Sequence, residues 1–293
     1  MPIYGHDDII AKASAGQKRR IPFSKTCTGT TFVANNWYHL WSVNGSYAGG
    51  SLYSGTALAF QRTTDTTTGA LYTGGNVSPS TKHPIYSMVM QSANAIAALW
   101  VMDMVGYYPL TQSASVQTFA NTNGPDRYTG NGEGGLKVVL VAGALGGATA
   151  SNITQLTYVD QDGNTGHTIP TSPSVAVTVS AASPTTTLGS RCLTVTSYNG
   201  LFLPLATGDA GVRSLTNIQF SAANTGLEAL LLVRPLFKIP IPGTVYAVAE
   251  KDFVCDLDSV PIIKDGACLT FFSLLTTTAG PNLTGEITFV YGA

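Results

Sequence analysis

Charge is what this 293-residue chain has least of. Lys, Arg, Asp and Glu make up 11% of it, against about 25% in an average soluble domain. Hydrophobic residues reach 44% and the formal net charge is −1. A disordered chain pairs low hydrophobicity with high net charge, and this one does neither. A near-zero net charge also gives no pull toward nucleic acid or an anionic membrane. Ser, Thr, Gly, Ala and Asn fill the gap. Small and hydroxyl-bearing side chains suit a protein packed against neighbours, where a desolvated Lys or Glu is costly.

Cysteine is scarce too. Cys27, Cys192, Cys255 and Cys268 form no CxxC pair, and are expected to be buried free thiols of a reducing compartment, although sequence alone leaves a disulfide between two of them open. No Cys and His residues cluster as zinc would require. The opening Met1–Asp8 has no basic stretch followed by an apolar run, which predicts no signal peptide and synthesis in the cytoplasm. No segment reaches the ~20 apolar residues of a membrane span; residues 85–108 come nearest, but Ser87, Gln91, Asn94 and Asp103 interrupt them.

Catalytic signatures are missing as well. There is no GxSxG, HExxH or GxxxxGK[ST]. His6, His39, His83 and His167 have no partner of catalytic type near in sequence. A surface glycosidase would need two carboxylates across a cleft, and Asp103, Glu133, Asp160 and Glu228 are scattered. The expectation is no enzyme, no cofactor and no resident metal. Asp160-Gln161-Asp162-Gly163-Asn164 has the look of a calcium loop, but the twelfth position, Thr171, lacks the acidic ligand that loop needs. A hairpin turn is expected, with a loop-bound calcium as the alternative. Asp256 and Asp258 would share a face if extended, within reach of Lys251 or Lys264.

What is present reads mainly as β. Residues 1–25 stand apart: Asp7 or Asp8 can cap a short helix over Ile9–Ala13, and Gly16 can stop it. This segment holds Lys12, Lys18, Arg19, Arg20 and Lys25, five of the 15 basic residues. It is expected to be an N-terminal arm ahead of the folded body, the alternative being a solvated helix on its own domain. Strands are expected over Thr28–Val33, Asn36–Trp41, Leu136–Val141, Ile153–Val159, Val175–Val179, Cys192–Ser197, Leu215–Ser221, Glu228–Val233, Thr244–Val248, Leu269–Leu275 and Glu286–Tyr291. Turn clusters such as Gly208–Gly211 and Pro240–Gly243 separate them. Ile85–Tyr108 is expected to start as a short helix or turn, because of its alanines, and to end as a strand. Short strands spaced by turns predict a β-sandwich or jelly roll, one or two of them, with an extended arm containing a short helix. A first β region with long loops would span 26–135, and the sandwich region 136–293.

The aromatic residues Trp37, Tyr38, Trp41, Tyr47 and Tyr53 lie close together. Trp37 and Trp41 would share a strand face and belong to the core. Tyr47 and Tyr53 stand among glycines and are candidate contact residues, as are Ile9, Ile10, Lys18, Arg19 and Arg20 of the arm. The basic trio could meet phosphates, but no aromatic stacking set accompanies it, so a protein partner is the preferred reading and nucleic acid an unlikely one.

Several segments resemble a broad group of tailed-bacteriophage virion structural proteins. They include Asp8-Ile9-Ile10-Ala11 with Ala15–Thr26, Asn36–Trp41, Gly106–Leu110, Asp126-Arg127-Tyr128 with Gly134–Leu136, Asn152–Thr168, Leu203–Ser214 and Leu230–Leu236. The resemblance spans most of residues 8–236 and rests on turn and strand signatures. It implies a component of the virion, made in the host cytoplasm. The major capsid protein of such phages would show more helix and a long charged hairpin. The resemblance therefore points to a head decoration, or cement, protein that binds the major capsid protein and copies of itself, as a homotrimer or other oligomer. The alternative is a neck, tail or fibre component that binds a host-surface glycan through Tyr47, Tyr53 and the Gly-rich loops.

Overall fold

The computed structural model describes residues 3, 5–27, 32, 34–77, 81–92, 96–144, 151–170, 190–192, 200–223, 227–255, 260–278, 280 and 282–292. Its elements, in chain order, are helix α1 (His6–Ser14) and strands β1 (Lys18–Thr26), β2 (Asn36–His39), β3 (Gln61–Arg62), β4 (Thr81–Gln91), β5 (Ile96–Pro109), β6 (Gln117–Thr118), β7 (Lys137–Ala144), β8 (Ile153–Asp160), β9 (His167–Thr168), β10 (Ser190–Cys192), β11 (Val212–Phe220), β12 (Leu227–Pro240), β13 (Val248–Asp252), β14 (Ile263–Lys264), β15 (Leu269–Leu275) and β16 (Asn282–Tyr291). The protein is mainly β with a short N-terminal helix, as composition and turn spacing predict.

These strands form three antiparallel sheets. The central one runs β12-β7-β10-β2-β15-β5-β3, and a further pairing of β12 with β5 closes six of its strands into a ring. Alternation along the strands shows what the ring encloses. Val139 and Val141 of β7, Leu231 and Val233 of β12, Met102 and Met104 of β5, Cys192 of β10 and Phe272 of β15 belong to one cluster, with Trp37 of β2 against it. All six ring strands contribute one face to it, so that face points inward. Side chains one position along point outward. Val138, Leu140, Leu230 and Leu232 pack against Leu156, Leu215 and Ile218 of the sheet β6-β11-β8-β9. Leu99, Val101, Ile239 and Phe271 pack against Phe23, Val89, Leu283 and Ile287 of the sheet built on β1-β16-β4-β13. The ring is thus sandwiched on two sides by smaller sheets.

Burial on both faces explains where sequence patterning misleads. Residues 85–108 contain no helix among the described residues. They form most of β4 and β5, with 93–95 outside the described residues. Ala98 is buried in β5, where partners on both sides override alanine's helical preference. His83 is buried in β4. Pro84 beside it sits where the register of β4 against β16 shifts, the kind of irregularity that lets proline into a sheet. The strand expected at Thr244 begins at Val248. The strand from Asn36 stops at His39 and continues as a single 3-10 turn, Leu40–Ser42.

The N-terminal segment corrects a larger expectation. Lys18–Thr26 is not an arm ahead of the body. It pairs with β16 residue for residue, from Lys18↔Val290 to Thr26↔Asn282. Lys18, Arg20 and Pro22 lie exposed along an outer strand, and Lys, Arg and Pro are the residues that protect open edges from pairing with other chains. Of the five cations that set 1–25 apart in sequence, Lys18 and Arg20 are therefore edge protection, while Lys12 and Lys25 are buried. Helix α1 has Gly5 at its N-cap, and Asp7 and Asp8 sit in the first turn without capping it. Its end follows expectation: Gly16 adopts φ +74°, and the N–H groups of Gly16 and Gln17 donate to Ala13 and Lys12 at 3.1 and 2.9 Å, a Schellman closure. The boundary drawn at residue 135 has no counterpart in the sheets, since β5 pairs with β12 and β15, and β4 with β16. The expected strand Val175–Val179, all of Cys192–Ser197 after Cys192, Thr28–Val33 apart from Phe32, and the residues Thr171, Asp256 and Asp258 lie outside the described residues.

Candidate functional site

The contact residues expected in the N-terminal segment are divided by the fold. Ile9 is buried against Ile85 and Val290, while Ile10 is exposed. Lys18 is exposed. Arg19 is half-buried, donates to the carbonyl of Gly74 and lies 4.8 Å from the Tyr291 ring centroid. Arg20 is ion-paired with Glu286. Two of the three cations thus already have partners within the chain. The helix is held to the body by Lys12, whose buried Nζ donates to Gly292 O at 2.7 Å.

Tyr47 and Tyr53 are both half-buried. Tyr53 packs against the ring interior together with Trp37, Trp41 and Leu52; Trp41 is a core residue as expected, though in the 3-10 turn rather than on the strand, while Trp37 is half-buried. Tyr47 lies on the wall of a hollow of about 390 Å³ whose other lining includes Asp65, Thr66, Thr68 and Tyr72. The hollow is built from two consecutive turns. Thr67 N–H donates to Thr64 O and Ala70 N–H to Thr67 O, each at 3.0 Å. Beneath them lies the fully buried Trp41. A Cβ on Gly50 would come within 2.1 Å of Trp41 Nε1, and one on Gly69 within 2.6 Å of Trp41 Cε2. Gly69 also holds φ +103°. Only glycine lets the backbone lie so close to the indole. Three of the buried side-chain atoms with no hydrogen-bond partner, Trp41 Nε1, Asp65 Oδ2 and Thr73 Oγ1, fall within this part of the chain.

A second concavity, of about 500 Å³, lies between the 128–134 loop, β12 and the residues leading into β14. Tyr128 forms its floor at φ +61°, a strained backbone for a bulky residue. Arg234 Cζ and Lys264 Nζ stand 5.5 and 5.1 Å from its ring centroid. Lys264 is also ion-paired with Glu133; that bond chiefly holds the Glu133 carboxyl below its ordinary value. Burial pushes the Tyr128 hydroxyl well above the usual phenol range. Behind Tyr128, Arg127 donates through Nε and Nη2 to both oxygens of the fully buried Asp103, at 3.0 and 2.9 Å. Cys268 N–H adds a third donor at 2.9 Å.

The Asp160–Asn164 segment is a hairpin turn joining β8 to β9, with Gly163 at φ +94°. Asp160 Oδ1 accepts the N–H groups of Asp162 and Asn164, and Oδ2 accepts Asn164 Nδ2, all at 2.8 Å. Burial works to raise the Asp160 pKa, but these bonds outweigh it and the net direction is down. His167 Nδ1 lies 2.8 Å from Asp209 Oδ2, which also accepts Tyr158 O–H at 2.6 Å. Asp160, His167 and Asp209 are close enough to share an ion, with both Asp160 oxygens and Asp209 Oδ2 already engaged by donors of the chain. Glu228 is buried with Gln112 bonded to it, and burial raises its pKa. Of the cysteines, Cys27, Cys192 and Cys268 are buried free thiols, but Cys255 is exposed.

Asp65, Tyr72 and Tyr128 were not among the residues expected to matter. Gly69, Gly74 and Gly75 are loop signals that do not show which side chains the loop brings together. No helix among the described residues is long and apolar enough to cross a membrane. Comparison of the chain with protein-family models, with curated proteins and with solved structures finds no match.

Proposed function

We propose that this chain is a non-enzymatic structural protein of a tailed-phage particle, one that binds the outside of the capsid lattice and stabilises it. The observation that carries the reading is the use made of its few charges. Asp103 with Arg127, Lys82 with Asp265, Glu228 with Gln112, and Lys12 with the Gly292 carbonyl each bond residues distant in sequence, from 24 to 280 positions apart. A charge-poor β body cross-linked in this way suits a part that must hold its shape under the pressure of packaged DNA. The resemblance over residues 8–236 supports the same reading and implies its partners: the major capsid protein and further copies of this chain. The grip is assigned to the exposed Ile10 and Lys18 and to the loops, since Arg19 and Arg20 are bonded within the fold.

The test is the copy number of the chain in purified virions, measured by quantitative mass spectrometry against the major capsid protein. Hundreds of copies in a simple ratio are expected. A dozen or fewer would shift the reading to a neck, tail or fibre component, and absence from virions would overturn it.

A further inference from the structure

We propose that the hollow between Tyr47 and Tyr72 is a carbohydrate-binding site, independent of where on a particle the chain sits. The argument starts at Asp65. The residue as a whole is only 7% exposed and lines the hollow, and its Oδ2, itself shielded from solvent, has no hydrogen-bond partner. An acceptor withdrawn from water and left unpaired is costly. The turns from Thr64 to Ala70 hold it there, so the cost is built into the backbone.

The chemistry around Asp65 selects the class of ligand. Among the described residues no Lys or Arg lines the hollow, which argues against an anion, and Asp65 is its only carboxylate. Calcium takes six to eight oxygens, with several carboxylates at tight sites, so a cation is poorly served. What remains is a neutral ligand that donates hydrogen bonds to a carboxylate, exchanges them with threonine hydroxyls and has an apolar face for an aromatic ring. A sugar ring has all three. Its hydroxyls would meet Asp65, Thr66 and Thr68, and its C–H face the Tyr72 ring, which is 46% exposed. The volume of about 390 Å³ lies at the small end of ligand pockets, enough for one or two sugar units. The buried Trp41 packs directly beneath Gly69, whose backbone lines the hollow, and backbone held this closely needs little ordering on binding.

The experiment uses the intact chain. Neutral monosaccharides (glucose, galactose, mannose, fucose and N-acetylglucosamine) are titrated by saturation-transfer NMR, and a glycan array extends the set to oligosaccharides. At least one is expected to bind. Tyr72→Ala and Asp65→Asn should each weaken it about tenfold or more, whereas Tyr246→Ala, at an exposed tyrosine outside the hollow, should not. Chelation of divalent cations should change nothing. Absence of binding to every sugar overturns the proposal, as does binding indifferent to both variants or abolished by chelation. If Asp65→Asn fails to fold, by circular dichroism, Tyr72→Ala decides alone: weakened binding supports the site, and unchanged binding overturns it.

Discussion

Two aspartates near the same cysteine are treated in opposite ways. Asp103, on β5, receives Arg127 on both oxygens and the N–H of Cys268 on one. Asp65, in the loop after β3, keeps an oxygen with no partner. Both act on the buried Cys268 thiol, which burial first, and then Asp103, push far up. The same residue type at similar depth thus serves two ends. One carboxylate is consumed in tying β5, the 127 loop and the entry to β15 together. The other is held ready at the edge of a hollow. The difference lies in the number of donors supplied, and it predicts how much stability each carboxylate contributes.

The largest effect is expected at Asp103. Removing one partner of a buried, well-bonded ion pair leaves the other charge uncompensated, at about 3–5 kcal/mol. Asp103→Ala should lose that much in urea unfolding, and Arg127→Met should lose nearly as much. A loss no greater than a surface substitution gives would break the comparison, since a satisfied charge would then matter as little as an unsatisfied one.

Lys25 stands between the two. Its buried Nζ has one described acceptor, Val43 O at 3.0 Å, and burial lowers its pKa from 10.5 to about 8. A lysine with a depressed folded pKa binds fewer protons folded than unfolded between those values. Its contribution to stability is therefore complete above 10.5 and is lost as pH falls toward 8, by about 3 kcal/mol. Cys27 runs the other way: burial raises its thiol from 9.0 to about 12, so its folded state gains relative stability as pH falls and loses it as pH rises through that range. The wild-type profile mixes the two, but the difference between wild type and Lys25→Met isolates the lysine. The variant should be more stable at pH 7 by about 2 kcal/mol, after loss of the Val43 bond, and the advantage should vanish by pH 10.5. A flat difference would show that Lys25 reaches water in the folded state.

The class of fold was legible in the sequence because turns and β-branched residues announce strands wherever one face stays wet. Patterning misled where burial was two-sided: the start of Ile85–Tyr108, expected as a short helix or turn, is strand over Ile85–Gln91 and again from Ile96, while the strand expected at its end is there. It misled again at Lys18–Pro22, where cations and proline describe a charged tail and a protected edge strand equally well. Only the partner strand β16, about 270 residues away, decides between them. Tyr47 stood out as a candidate contact residue because it stands among glycines, and it lines the hollow. Asp65 was not, because an unpaired oxygen is a property of three-dimensional surroundings and leaves no mark on spacing.

The smallest effect is expected at Asp65, and it sharpens the comparison most. Asp65→Asn keeps the shape and removes the charge. If the unpartnered oxygen costs stability in the free protein, the variant should be as stable as wild type or more so, by up to about 1 kcal/mol at pH 7. Such a gain, alongside weakened sugar binding, is the signature of a group kept for its ligand at the expense of the fold. A loss of about 3 kcal/mol, matching Asp103, would mean instead that Asp65 is a structural carboxylate of the same kind and that its open oxygen is satisfied in solution. The two aspartates would then differ only in the kind of donor each finds.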